Sequence, residues 1–225
     1  MKLLNSLVIG AVLGAVSLQA SAVELKTTEE KISYIVGMNY GQKIKADNIP
    51  FEEAAFLQAI KDVLNGTPPR LNQEEAQAAI AAFQQQRQAE VQKLAEQNKR
   101  DGEQFLTANS NKPGVKVTDS GLQYKVIKAG SGKQPTPEST VSVNYRGTLI
   151  DGTEFDSSYK RGQPATFPVN GVIKGWTEAL QMMKEGAKWE LYIPADLAYG
   201  ERGAGSGVIG PNATLVFEVE LLEVK

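Results

Sequence analysis

The chain has 225 residues, 41% of them hydrophobic, with 24 Lys and Arg against 26 Asp and Glu. That gives room for one or two globular domains, and the slight negative charge does not suit a polyanion, so no nucleic-acid partner is expected. There is no cysteine and no histidine. Disulfides, thiol catalysis, Ser-His triads and most zinc sites are thereby excluded, and with no Asp-rich loop of calcium spacing neither a metal nor a cofactor is expected.

Residues 1–22 read as a signal peptide. Lys2 supplies a positive start, Leu7 to Leu18 an apolar core, and Ala20-Ser21-Ala22 a cleavage site. The apolar run is short for a bilayer span, and no second one follows. Without Lys2, 23 basic residues face 26 acidic ones, a net charge of −3 for a mature chain beginning at Val23. No Cys follows the cleavage site, so no lipid anchor is expected. A cysteine-free exported protein fits an oxidising compartment. The expected location is the periplasm, with outer-membrane or cell-surface association left open.

Residues 23–70 read as a helical arm. The spacing predicts a helix over 27–47 with Thr28 as N-cap, which puts Lys31 at N3 and leaves the capping box incomplete. Ile32, Ile35, Met38 or Asn39, and Gln42 share one face, and Gly37 and Gly41 suggest close contact between helices. Asn48-Ile49-Pro50 breaks the pattern. A second helix is predicted from Phe51 to Leu64, with Phe56, Ile60, Val63 and Leu64 as its apolar face. Asn65-Gly66 and Pro68-Pro69 end it. Two short helices with little to cover them predict a homodimer through this arm.

Residues 71–114 read as a long connecting helix and linker. Asn72 is the expected N-cap, with Glu75 in capping-box position. Ala76, Ile80, Phe83, Val91 and Leu94 form a sparse stripe among many Gln. A helix polar nearly all round bridges domains through solvent. A disordered linker is the alternative, although Ala, Gln, Lys and Glu are good helix formers. Gly102 weakens the helix, and Asn109 to Gly114 marks the domain boundary.

From Val115 the pattern turns to β. Leu122, Tyr124 and Val126 alternate with polar residues, as do Val141, Val143, Tyr145 and Leu149, with Gly147 a candidate bulge. Asp151-Gly152 is a hairpin turn. Phe155 and Phe167 mark shorter strands. Ala187, Trp189, Leu191 and Ile193 point one way, and Lys188, Glu190 and Tyr192 the other. Leu215, Phe217, Val219 and Leu221 alternate with Glu218 and Glu220. The pattern predicts an antiparallel sheet with one wet face and one short helix, 175–184, covering the other.

The candidate site is a pocket between that helix and the sheet. Trp176, Leu180 and Met183 fall on one helix face, and the aromatic set is Tyr145, Phe155, Phe167, Trp176, Tyr199 and Phe217. Val172, Ile173, Val208 and Ile209 add apolar surface, and Asp156 and Arg161 are polar. The glycine-rich stretch from Tyr199 to Pro211 is a long loop, and such loops are usually functional. Taken singly, each residue has a plainer reading: Trp176 as core, Asp156 as a turn former, Tyr199 as the end of a helical turn.

Five ordered blocks resemble one family. They are Val143-Asn144-Tyr145-Arg146-Gly147, Asp151-Gly152 with Phe155-Asp156-Ser157-Ser158, Val172-Ile173-Lys174-Gly175-Trp176, Ala198-Tyr199-Gly200 and Ala213-Thr214-Leu215-Val216-Phe217. Across residues 116–225 they resemble the FKBP-type peptidyl-prolyl cis-trans isomerases. The resemblance implies an α+β fold with an antiparallel half-barrel sheet wrapped on one short helix. It implies a proline pocket of Tyr145, Phe155, Asp156, Val172, Ile173, Trp176, Tyr199, Ile209 and Phe217, with Phe167 beside it and Arg161 paired to Asp156. It implies proline-containing unfolded or nascent exported proteins as substrates and macrolides as inhibitors. Ala165, where many members carry an aromatic, and a loop with Ala204-Gly205-Ser206 that looks one residue longer bear on substrate preference and macrolide affinity. The exported helical arm resembles the macrophage infectivity potentiator group of bacterial members, which are dimers. The competing readings are a non-catalytic periplasmic holdase chaperone and, more distantly, a structural or adhesive secreted protein. A fragment of residues 115–225 is expected to be monomeric and active on short peptides.

Overall fold

The computed structural model describes residues 23–225, so the signal peptide expected over 1–22 lies outside the described residues. The chain divides into two compact units, one ending at Asn72 and the other beginning at Gln73.

The first unit holds α1 (Thr28–Ala46) and α2 (Glu53–Leu64). The N-cap of α1 is Thr27, one residue before the expected Thr28. That shift brings Glu30 rather than Lys31 to N3 and completes the capping box: Thr27 Oγ1 accepts the Glu30 N–H, and Glu30 accepts the Thr27 N–H at 2.8 Å. Lys43 and Lys45 in the last turn suit the negative end of the helix. Asn48, at φ 48°, then reverses the chain. α2 begins two residues later than expected. Phe51 stays outside and packs on Phe56 with ring centroids 5.3 Å apart, a hydrophobic staple across the helix entry. Tyr40 of α1 meets the same ring at 6.2 Å. Asp62 is buried and held by Arg70 at 2.6 Å and Gln58 at 2.8 Å. α1 buries none of its residues, and Ile32, Ile35, Phe51, Val63 and Leu64 are exposed.

The second unit opens with α3 (Gln73–Ser110), 38 residues long. The strands β1 (Val115–Val117), β2 (Gln123–Lys128), β3 (Thr140–Leu149) and β4 (Glu154–Ser157) follow. Then come α4 (Ser158–Arg161), β5 (Ala165–Pro168), α5 (Lys174–Met182), β6 (Lys188–Ile193) and β7 (Leu215–Val224). All pairings are antiparallel, in the order β1-β2-β6-β7-β3-β4. β5 pairs with the first half of β3, on the edge whose second half takes β4. The β3–β4 register shifts between Gly147 and Thr148, where a bulge was expected. Alternation along β3, β6 and β7 sends Val141, Val143, Leu191, Ile193, Val219 and Leu221 inward against Trp176, Ala179 and Leu180 of α5. The sheet curves around that helix, as the antiparallel α+β reading required.

Two expectations need correction. Tyr192 was placed on the wet face, yet it is buried, because Phe105 of α3 lies over it at 6.0 Å. Burial, with Glu190 beside it, pushes the Tyr192 hydroxyl up to about 12. The connecting helix was expected to cross solvent, but its C-terminal turns lie on the outer face of the sheet. There Asn109 donates to Gln123 at 3.0 Å, and Gln123 donates to the Leu106 carbonyl at 2.9 Å. Gly102 also acquires a reason: a Cβ would stand 2.3 Å from Thr214 Oγ1, so only glycine allows the approach.

Candidate active site

The site is built from segments that converge at the N-terminal end of α5. Gly175 lets that end press on β6, since a Cβ there would meet Ile193 Cγ2 at 2.5 Å. The next residue, Trp176, is thereby set into the floor of a cleft and is 4% exposed. Three rings meet it nearly edge-on: Tyr145 at 5.2 Å, Phe217 at 5.3 Å and Phe167 at 6.0 Å. Phe155 stands edge-on to Phe217 at 5.5 Å. Edge-to-face contacts of this kind fix ring positions beyond what area burial does. The Trp176 indole N–H is buried without a hydrogen-bond partner.

The cleft has a volume of about 410 Å³, within the range of small-ligand sites. Nine residues singled out from the sequence line it: Tyr145, Phe155, Asp156, Phe167, Val172, Ile173, Trp176, Tyr199 and Phe217. Two do not. Arg161 stands behind Asp156, and Ile209 is 6% exposed within the core, bridged to Ala204. Gly171 lines the cleft and was not anticipated.

One polar group sits at the rim. Tyr145 donates its hydroxyl to Asp156 Oδ2 at 2.5 Å. Arg161 donates to Asp156 Oδ1 and, through its other nitrogen, to the Tyr145 hydroxyl at 2.7 Å. The Ser157 N–H also reaches Asp156 Oδ1, at 2.8 Å. The single turn of α4 makes this triangle possible. Ser157 caps it, Gly162 ends it at φ 72°, and Arg161 returns to Asp156 five residues after it. Burial pushes the Asp156 carboxyl up, but the hydrogen bonds from Tyr145 and Arg161 and the Arg161 charge outweigh it and hold the group below the usual range. Burial and the bond to Asp156 push the Tyr145 hydroxyl up. Both groups therefore keep one protonation state around neutrality.

Some supporting residues escaped the sequence reading. Ser158 is buried, and its Oγ accepts the Tyr145 N–H at 2.9 Å, fixing the strand that carries the phenol. Gly147 is needed because a Cβ would meet both the Phe155 and Phe217 rings at 2.7 Å. Thr177 donates to the Val169 carbonyl at 2.8 Å and ties down the segment before Val172. Ser158 and Gly147 stood inside recognised blocks, but only their distant neighbours reveal what they do.

A sheet half-closed on one helix, with a Trp-floored aromatic cleft and an ion-paired Asp at its rim, defines a half-barrel built around an apolar binding cleft. The profile of the family described as FKBP-type peptidyl-prolyl cis-trans isomerase matches residues 131–222. That of the domain amino terminal to such isomerases matches residues 29–126. The chain is 44% identical over 229 residues to the outer membrane protein MIP of Legionella longbeachae, covering 100% of this chain and 98% of that one. It is 46% identical over 227 residues to the peptidyl-prolyl cis-trans isomerase Mip of Coxiella burnetii, covering 99% and 97%. The crystal structure of FkpA from Escherichia coli superposes with a TM-score of 0.64 at 38% identity, over 90% of this chain and 99% of that one. The chain belongs to the FKBP-type peptidyl-prolyl cis-trans isomerases.

Proposed function

We propose that this isomerase is exported and turns X–Pro bonds in proline-containing proteins that fold in the periplasm, with a homodimeric arm that adds chaperone activity. The observation that carries the reading is the Trp176 floor with the Asp156–Tyr145–Arg161 triangle at its rim. An X–Pro bond resists rotation by roughly 18–20 kcal/mol, because amide resonance is lost on twisting. Uncatalysed exchange takes tens to hundreds of seconds. The twisted amide carries less charge separation than the planar one, so a dry aromatic cleft favours it. In this reading the pyrrolidine ring lies on Trp176 between Phe155, Tyr145, Phe167 and Phe217, with Val172 against its edge. The Ile173 N–H and the Tyr199 hydroxyl hold the carbonyls flanking the proline. Asp156 sets a fixed charge beside the rotating carbonyl, locked by Arg161. All of this is positioning and preorganised electrostatics.

The arm supports the second half of the reading. α1 and α2 expose apolar faces that one copy does not cover, and a two-fold pairing would bury them. Two isomerase units on one dimer could then hold two stretches of a single unfolded chain. Among the described residues no helix is long and apolar enough to cross a membrane. The deciding experiment measures isomerisation of a proline peptide by Asp156→Asn and Tyr199→Phe, alongside thermal unfolding. Loss of rate with the fold intact is expected. Full activity in both variants would remove the assigned pocket. Refolding yield of a proline-free client separates the chaperone role from isomerisation.

A further inference from the structure

We infer that Asn98, on the second half of α3, is a positioning residue for the isomerase site, acting through the loop that carries Tyr199. The inference rests on the reading of Tyr199 as a substrate-holding group. The loop from Tyr199 to Asn212 contains Gly200, Gly203, Gly205, Gly207 and Gly210. So many glycines give it little intrinsic stiffness. Something else must hold it.

Backbone ties lie within the loop, among them short turns from Gly203 to Gly200 and from Val208 to Gly205. Ala204 and Ile209 exchange backbone hydrogen bonds at 2.9 and 3.0 Å, and the Asn212 N–H donates to the Gly200 carbonyl at 2.8 Å, one residue from Tyr199. Further support comes from the Ile209 side chain, seated in the core, and from α3. Asn98 Nδ2 donates to the Pro211 carbonyl at 2.8 Å. Asn212 reaches back to the Ala95 carbonyl, at a long 3.5 Å. Gly210 lies so close that a Cβ would stand 2.9 Å from Asn98 Nδ2 and 3.3 Å from Leu94 Cδ2. Two hydrogen bonds and the short Pro211–Asn212 segment therefore connect α3 to the backbone beside Tyr199.

The helix is itself firmly seated at this point. Leu94, Asn98, Gly102, Phe105 and Asn109 recur at spacings of four, four, three and four, which is one helix face. Gly102 meets Thr214, Phe105 covers Tyr192 and Asn109 bonds Gln123. That face is a rail on the sheet, and Asn98, with Leu94 beside it, is its hydrogen-bonding contact with the loop that carries Tyr199. Tyr199 is 41% exposed, so the cleft alone does not immobilise it.

The test is a double-variant cycle on the full chain, read as kcat/KM on a proline peptide. Asn98→Ala should lower it roughly three- to tenfold, the size of one net hydrogen bond. Asn98→Asp, isosteric but without the N–H donor, should lose at least as much. Tyr199→Phe should also lose activity, and adding Asn98→Ala to it should cost less than about twofold more, because both changes act at one point. A purely structural Asn98 would give multiplicative losses that follow the drop in unfolding temperature, and that result overturns the inference. Full activity in Asn98→Ala or Asn98→Asp overturns it as well. If Tyr199→Phe is impaired while Asn98→Ala is not, only the inference fails. If Tyr199→Phe is itself unimpaired, the role given to Tyr199 fails and the inference falls with it.

Discussion

Asp156 accepts from Tyr145, Arg161 and the Ser157 N–H at once. Removing its charge unbalances three donors rather than one. Losing a preorganised contact typically costs about 2–4 kcal/mol in acyl transfer. A twisting amide develops no full charge, so Asp156→Asn should reduce kcat/KM by roughly 1–2 kcal/mol, and Tyr199→Phe by about 1 kcal/mol. Trp176→Ala removes the ring that three others meet edge-on and should destabilise the fold by roughly 3–5 kcal/mol, seen in denaturant unfolding. The acid behaviour of Asp156 follows from its lowered carboxyl. Its stabilising effect is complete above the unfolded value near about 3.9 and is lost as pH falls through the lower folded value. With the side chain 42% exposed, solvent keeps that contribution small. The unfolding temperatures of wild type and Asp156→Asn should therefore differ by a constant amount from pH 7 to 5 and converge in stronger acid. Aromatic walls were legible in the sequence because Tyr145, Phe155, Trp176 and Phe217 stand in ordered blocks. Ser158 and Gly175 were not assigned and Gly147 only as a bulge, since the close contacts of each are made with a partner from another segment.

Helix α3 shows how far element-level reading carries. Its sparse apolar stripe predicted a solvent-crossing rod, and its exposed Ile80 and Val91 fit that. The docked end was hidden because its contact face is Asn98, Gly102, Phe105 and Asn109, a mixture that no hydrophobic pattern flags. Glycine inside a helix usually costs about 1 kcal/mol against alanine. Gly102→Ala should reverse that preference, because the added methyl collides with Thr214 Oγ1. A net loss of roughly 1–3 kcal/mol in denaturant unfolding is the expected result. The boundary drawn at Asn109 to Gly114 needs the same revision. A fragment of residues 115–225 uncovers Tyr192 and leaves the Gln123 amide without Asn109 and the Leu106 carbonyl. It should melt below a fragment of residues 90–225 and turn over short proline peptides more slowly. By contrast, the capping box of α1 was missed only through a one-residue slip, within the ordinary uncertainty of helix ends.

At the scale of the whole molecule, the arm and the isomerase unit differ in where their stability resides. The isomerase unit has a continuous core from Leu122 to Val224. The arm has two helices, one staple and the Asp62–Arg70 pair, with α1 burying nothing. Pairing of two arms should give a dimer in sedimentation at micromolar concentration. A monomer with both helices still folded would contradict it. The expectation of a second arm came from the apolar spacing of Ile32, Ile35, Phe56 and Val63, of which Ile32, Ile35 and Val63 are exposed, whereas no sequence pattern describes the shape of a paired interface.

In the dimer proposed above, the bare α1 helix would make the arm subject to mass action. A segment that folds only with its twin loses about 1.4 kcal/mol of apparent stability for every tenfold fall in dimer affinity relative to concentration. Calorimetry should then show two transitions. The isomerase unit would melt at one temperature whatever the dilution, while the arm's transition would slide downward as the sample is diluted. In that reading newly made chains, being scarce, would pass through a stage with a folded isomerase unit and an arm still open to proteases.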